Sequence, residues 1–593
     1  MFRVVGDDPE HDRNRMMRIR VGTLDDLVAR GHLLAKAGGH GVCVFWDGDR
    51  AWALDDRCPH LGFPLHRGSV ADGLVTCHWH HARFDLATGG TLDPFADDAR
   101  AFPVEVVDGE VFLVVSATEG GADALWRRLR EGLEQGLTLV TAKSVLGLLG
   151  AGVDPTDIVR VGVDFGVANR REGWGSGLTV LVAMANLLPW LDADDRALAL
   201  VHGLAFVSRD TRNHAPAFTL TPLGTDAPGP DEGPPPSRLA SWYRRFIETR
   251  SGSAAERALV TAVAGGRSEA EVADMMLAAA TDHVFLDGGH TIDFTNKAFE
   301  ALQLLGWGLA ADVLPTLVDQ TAAANRAEES GSWRHPHDLA ALVGDTEQRL
   351  LAALAAASGS GIDDLAGVSA LGWRLLGDDP VEVTDSLIEA AGAGATPEQL
   401  GRALALAAAL RITRFHTQND FGDWDTVHHG FTAANALHQA LRRHPSPEAT
   451  RGVVHGALRV YLDRFLNVPA ARPPSAESGD LAELQACWDG QGGVDRAGTI
   501  AYGYLRAGGE PRALVAALAH CLLAEDAAFH WYQTVEAAVS QYQAWPAGSE
   551  EGALILTGTA RFLAAHTPTR RELPHVVTIA ARLRRGDDLF DET

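Results

Sequence analysis

Two short segments early in the chain restrict its first domain more than any other feature. Cys58-Pro-His60 and Cys77-His-Trp-His80 each supply one thiol and one imidazole, and sixteen residues separate His60 from Cys77. Around them the sequence reads as short strands: MRIRVG, GVCVFWDG, RAWALDD, GLVTCHW, FPVEVVDG and EVFLVVS, closed by Gly or Asp turn residues. The four ligands therefore fall in loops on a β-rich scaffold. Two thiolates and two imidazoles suit a zinc ion bound by all four. They also suit a two-iron cluster with the thiolates on one iron and the imidazoles on the other, which raises its potential above that of an all-Cys cluster.

The flanking run His80-His81-Ala-Arg-Phe84-Asp85-Leu, then Thr88-Gly-Gly, resembles the second cluster loop of Rieske ferredoxins and ring-hydroxylating oxygenases. His81 stands where Gly is usual after the second His. The resemblance implies a [2Fe–2S] cluster held by Cys58, His60, Cys77 and His80, and one-electron transfer. Respiratory Rieske proteins carry an extra Cys in each loop, paired as a disulfide. Those positions here are Phe63 and Trp79, so the clamp is absent and the resemblance is to the lower-potential ferredoxin and oxygenase type.

Beyond Ala117-Thr-Glu-Gly-Gly-Ala, read as a linker, the pattern changes to Ala- and Leu-rich segments of helical periodicity such as LGRALALAAALRI and ALVAALAHCLLAEDAAFH. The expected architecture is a small all-β domain over 1–117 followed by a large all-α domain over 118–593. That region reads as internally duplicated, over about 145–310 and 387–546. Gly150-Ala-Gly-Val-Asp-Pro155 matches Gly392-Ala-Gly-Ala-Thr-Pro397. Trp174 with Asn186 matches Trp424 with Asn435. Val201-His202-Gly203 matches Val454-His455-Gly456, and Phe299-Glu300-Ala301 matches Val535-Glu536-Ala537.

A net charge of −27 argues against nucleic acid or an anionic membrane as partner. No uncharged apolar run of about 18 residues suggests a membrane span. The first residues have no apolar signal-like core, and five cysteines make no disulfide framework, so a cytoplasmic location is expected. Two equivalent helical halves would pack about a pseudo-twofold axis, and a homo-oligomer is compatible with that symmetry.

His is concentrated on the helical segments: His202, His283, His290, His428, His429, His438, His455, His520 and His530. Converging imidazoles in a helical core bind metal. The position-matched His202 and His455 are the first candidates for a second metal, followed by His290, His520, His428 and His429. Asp293, Glu525 and Asp526 are candidate carboxylate ligands or groups that orient the imidazoles. The D-x-x-H-x4-H iron motif of Rieske oxygenases is missing: Asp425 and His428 begin it, but residue 433 is Ala. The His-containing helical segments instead resemble the questin oxidase-like family. That resemblance implies a non-haem iron held by several His, with a carbamylated Lys as an added ligand in its ring-cleaving members. Lys297, one of only three lysines, lies two helical turns after His290 and would take that place.

Neither Ser358-Gly-Ser-Gly361 nor Gly173-Trp-Gly-Ser-Gly177 sits in a βαβ unit, so no nicotinamide or flavin site is expected. The chain is read as an oxidoreductase, a mono- or dioxygenase. An external reductase or ferredoxin would supply the cluster with electrons, which would pass to a non-haem iron that oxidises a small organic, aromatic or polyketide substrate with O2. The alternative is a Rieske ferredoxin module fused to a non-catalytic helical scaffold.

Overall fold

The computed structural model describes residues 17–37, 40–115, 122–171, 173–224, 234–475, 479–587 and 589. It bears out a small all-β domain followed by a large all-α region. The segment expected as a linker lies outside the described residues up to position 121.

Chain contacts divide the molecule into two compact units: residues up to Asp154 together with the segment from His575, and Pro155–Pro574. Among its described residues the first unit holds ten short strands in three antiparallel sheets: β1 (Met17–Thr23), β2 (His32–Ala37), β3 (His40–Trp46), β4 (Ala51–Asp55), β5 (Ser69–Ala71), β6 (Leu74–Thr76), β7 (Arg83–Asp85), β8 (Ala101–Phe102), β9 (Val104–Val107) and β10 (Glu110–Val115). Their orders are β1-β10-β9, β2-β3-β4-β8 and β5-β6-β7. Strand β2 and the short β5 and β7 go beyond the strands expected from sequence. Buried Phe45, Leu54, Leu65, Val75 and Phe84 form one core with Cys58 and Cys77. Both thiols therefore sit on an apolar floor.

The same unit includes α1 (Ala122–Gln135), α2 (Thr138–Gly150) and most of the C-terminal helix Glu572–Arg585. The change of composition near 117 marks the start of helix, whereas the compact unit ends at Asp154. Contacts explain the difference. The mostly buried Arg128 of α1 donates to the carbonyls of Pro94 and Ala96 (3.0 and 2.8 Å) and to Asp97 (3.0 Å). Arg57 donates to the Leu583 carbonyl at 3.0 Å.

In the second unit, α3 (Pro155–Ala168), α4 (Ser176–Leu187) and α5 (Ala193–Thr211) pack together, and α6 (Glu269–Ala280) and α7 (His290–Leu305) follow. Helices α8 (Pro397–Thr413), α9 (Asp423–Arg443) and α10 (Pro447–Leu462) also pack together, followed by α11 (Pro511–Leu523), α12 (Phe529–Gln543) and α13 (Glu550–His566). Thr396 caps α8 and Pro397 opens it. The later helices are exchanged: α7 packs on α9 and α12 on α4, while α6 packs on α10 and α11 on α5. An internal duplication would produce this reciprocal arrangement. Among the described residues no helix is long and apolar enough to cross a membrane.

Small residues permit the close crossings. A Cβ on Gly177 of α4 would lie 2.6 Å from the Phe206 carbonyl oxygen and 2.7 Å from the Val207 Cα of α5. Backbone cannot swing aside as a side chain can. Gly177→Ala is expected to destabilise the helical unit by about 1–3 kcal/mol, read as a lowered thermal midpoint. Gly224→Ala, with nothing within 4 Å of its Cβ, should leave the midpoint unchanged.

Candidate metal centres

Two loops present the first set of ligands. In the first, the Cys58 N–H donates to the Phe63 carbonyl and the Gly62 N–H to the Cys58 carbonyl, both at 2.8 Å. Gly62 takes a left-handed φ of 85°. In the second, the Cys77 N–H donates to Ala82 (2.8 Å) and the His81 N–H to Cys77 (3.0 Å). His81, in the place usual for Gly, also has φ 62°, so this loop still makes the left-handed turn and carries the strain of a Cβ there.

A hydrogen bond from Cys58 and the backbone amides of Trp79 and His80 pull the Cys77 thiol down to about 6. Amides of His60 and Leu61 reach Cys58. The His60 and His80 rings meet edge to face, 4.8 Å between centroids. His60 Nδ1 is buried with no hydrogen-bond partner, as an unfilled metal ligand would be. Burial and His80 lower the His60 pKa to about 4 and keep the ring neutral. Zinc bonds of about 2.0–2.3 Å would draw four ligand atoms within about 4 Å of one another, yet no three of these residues bring ligand atoms within 4.8 Å. The donor set and its width fit a two-iron cluster better than one zinc ion. At the positions of the respiratory disulfide, the Phe63 and Trp79 rings pack 6.0 Å apart.

The second set lies in the helical unit. His290 opens α7, His429 lies on α9 and His530 near the start of α12. One nitrogen from each falls within 4.8 Å of the others, and this is the one such group found among the described residues. His429 Nδ1–H donates to the Asp425 carbonyl. His530 Nδ1–H donates to Gln533 Oε1 at 3.1 Å. In that tautomer both leave Nε2 as a free electron pair. His428 adjoins them, 1% exposed with neither nitrogen hydrogen-bonded, and near it lies His566, whose Nδ1–H donates to Phe562 (2.7 Å). Burial, reinforced by the neighbouring imidazoles, lowers His290 to about 4 and His530 to about 3. Burial likewise lowers His428, His429 and His566. All five rings are therefore neutral, the form that binds a metal. Left-handed backbone at Phe285, Asp287, Gly288 and Gly289 directs the chain into His290.

The other residues singled out in the sequence lie elsewhere. His202 Nδ1 bonds the Tyr532 hydroxyl at 2.5 Å. His455 bonds Glu347 at 2.7 Å, and the half-exposed His520 bonds Asp195 at 3.0 Å. They do not join the cluster, because α5, α10 and α11 lie outside the place where α7, α9 and α12 converge. Glu525 accepts from Thr569 and Arg571, and Asp526 caps the C-terminal helix. Lys297 is not placed for carbamylation. Burial alone would lower its pKa, but Glu300 (2.8 Å) and Glu536 (2.5 Å) outweigh that and push it up, which withholds the neutral amine that CO2 must attack. His530 was one of nine helical His singled out from the sequence, and nothing local set it apart.

Asp293 does reach the site indirectly, accepting from Gln533, which accepts from His530. Burial raises its pKa to about 7 against an ordinary 3.8. Between these values the folded chain holds a proton that the unfolded chain has released. The contribution of Asp293 to stability therefore falls as pH rises from about 4 to about 7, by roughly 4 kcal/mol at most, against the opposite trend of the buried imidazoles. Asp293→Asn should flatten that fall in denaturation measured across this range.

A family model described as the Rieske [2Fe-2S] domain matches residues 17–103. The ferredoxin subunit of anthranilate 1,2-dioxygenase from Burkholderia cepacia is 33% identical over 92 residues, 15% of this chain and 85% of that one. The ferredoxin subunit of 3-phenylpropionate/cinnamic acid dioxygenase from Photorhabdus laumondii is 38% identical over 103 residues, 17% of this chain and 97% of that one. The oxygenase subunit of vanillate O-demethylase from a Pseudomonas species is 43% identical over 56 residues, 9% of this chain and 17% of that one. Reduced protein should accordingly show the Rieske electron paramagnetic signal, and Cys58→Ser should abolish it. Residues 17–103 thus form a Rieske [2Fe–2S] electron-transfer domain, and through it the chain belongs to the Rieske iron–sulfur family.

Proposed function

We propose that the chain is an oxygenase that carries its own electron-transfer domain. The observation supporting this reading is the His290, His429 and His530 group, three neutral imidazoles whose ligand nitrogens lie within 4.8 Å of one another. A non-haem iron bound there would supply O2 activation, using electrons that arrive one at a time through the cluster from an external reductase or ferredoxin. The ferredoxin relatives serve dioxygenase systems, and the questin oxidase-like resemblance points the same way.

The protein's own groups have distinct tasks. Asp425 and Gln533 fix the tautomers of His429 and His530 and hold their Nε2 atoms toward the metal position. Asp293 braces Gln533. His428, buried without a hydrogen bond, is a further ligand. His566 also lines a cavity of about 540 Å³ together with Phe421 and Trp424. Their rings stand 4.7 and 5.9 Å from that of His566 and offer flat faces on which an organic ring could stack.

Metal analysis tests the reading. Whole protein should contain about three irons per chain, two of them in the cluster. His429→Ala and His530→Ala should each lower this to about two and abolish O2 consumption, with the Rieske signal intact. His202→Ala and His455→Ala should retain all three. Wild-type protein with two irons and no bound metal at the triad would favour a ferredoxin module on a helical scaffold instead.

A further inference from the structure

Lys143 lies on α2, outside the residues 17–103 that match the Rieske domain, yet it ends against the first cluster loop. Its side chain is only 14% exposed. The ammonium donates to the carbonyls of Pro59 and His60, the latter at 3.0 Å, and pairs with Asp97 at 3.1 Å. Beside it a cavity of about 390 Å³ reaches Cys58, with Arg57, Arg100, Arg584 and Arg585 also on its walls. Asp55 and Asp98 share those walls, so cations outnumber carboxylates there. That balance is notable in a chain of net charge −27. Lys143 is also one of three lysines where the other 48 cationic residues are arginine.

Reduction adds one electron and thus one negative charge to the cluster, without making or breaking a bond. A fixed cation held against the ligand loop in a partly dry site favours that extra charge more than it would in water. We propose that Lys143 is a positioning and potential-setting residue: its ammonium, held against the ligand loop, raises the reduction potential of the Rieske cluster above that of the bare domain. Asp97 opposes it and moderates the shift. The helices appended to the domain then do more than cover it. They set how readily the cluster accepts an electron from a one-electron donor.

Mediated redox titration of the full chain, followed by the cluster's absorption and paramagnetic signal, tests this. Lys143→Met should move the midpoint to lower potential. Lys143→Arg, which keeps the charge, should stay near wild type. Asp97→Asn should move the midpoint to higher potential. A purely structural role for the lysine would alter cluster content or thermal stability without this ordering. An unchanged midpoint in Lys143→Met, or an equal fall in Lys143→Arg, would overturn the proposal. Should Lys143→Met fail to hold its cluster, Asp97→Asn decides: an unshifted or lowered midpoint there overturns it equally.

Discussion

The helical unit is organised around a buried ammonium. Lys297 on α7, 1% exposed, lies between Glu300 of its own helix and Glu536 of α12. Asn186 of α4 donates to both carboxylates at 2.8 and 3.0 Å, and Arg443 of α9 approaches Glu300 at 3.9 Å. One network thus joins four helices, two from each half. Taking such charges out of water costs several kcal/mol per ion, and only a complete set of partners offsets that cost. Loss of any member would strand a charge in the interior. The network therefore acts mainly as a constraint on helix position, and three of those four helices carry His290, His429 and His530.

Part of the backbone strain falls where ligands are placed. Phe285 and Asp287 adopt left-handed backbone just before His290, and His81 does so just after His80. Non-glycine residues pay about 1–2 kcal/mol in that region, which the surrounding packing must offset. The cluster loop and the candidate His site thus both depend on loops held in shape by their neighbours.

The cluster site was legible because its signal is local: two ligands per loop at fixed spacing, in a β pattern of alternating strands and turns. Phe63 and Trp79 were equally readable, and their rings do meet. The helical site was not. Matching His202 to His455 identified corresponding positions, but corresponding positions need not converge. The exchange of α7 and α12 between halves decides what meets, and no stretch of sequence encodes it locally. Lys297 was read from its spacing to His290, whereas its deciding partner, Glu536, is 239 residues away. The compact boundary at Asp154 was hidden for a similar reason: helical periodicity gives the buried face of α1 and α2 but not the surface it covers.

On the proposed reading the helical unit holds an iron of its own. Crystals of the whole protein, measured on both sides of the iron absorption edge, test it most directly. Anomalous density is expected at Cys58, His60, Cys77 and His80, with a separate peak within bonding distance of His290, His429 and His530. Density at the cluster alone, with the three imidazoles ordered and no metal between them, would contradict it.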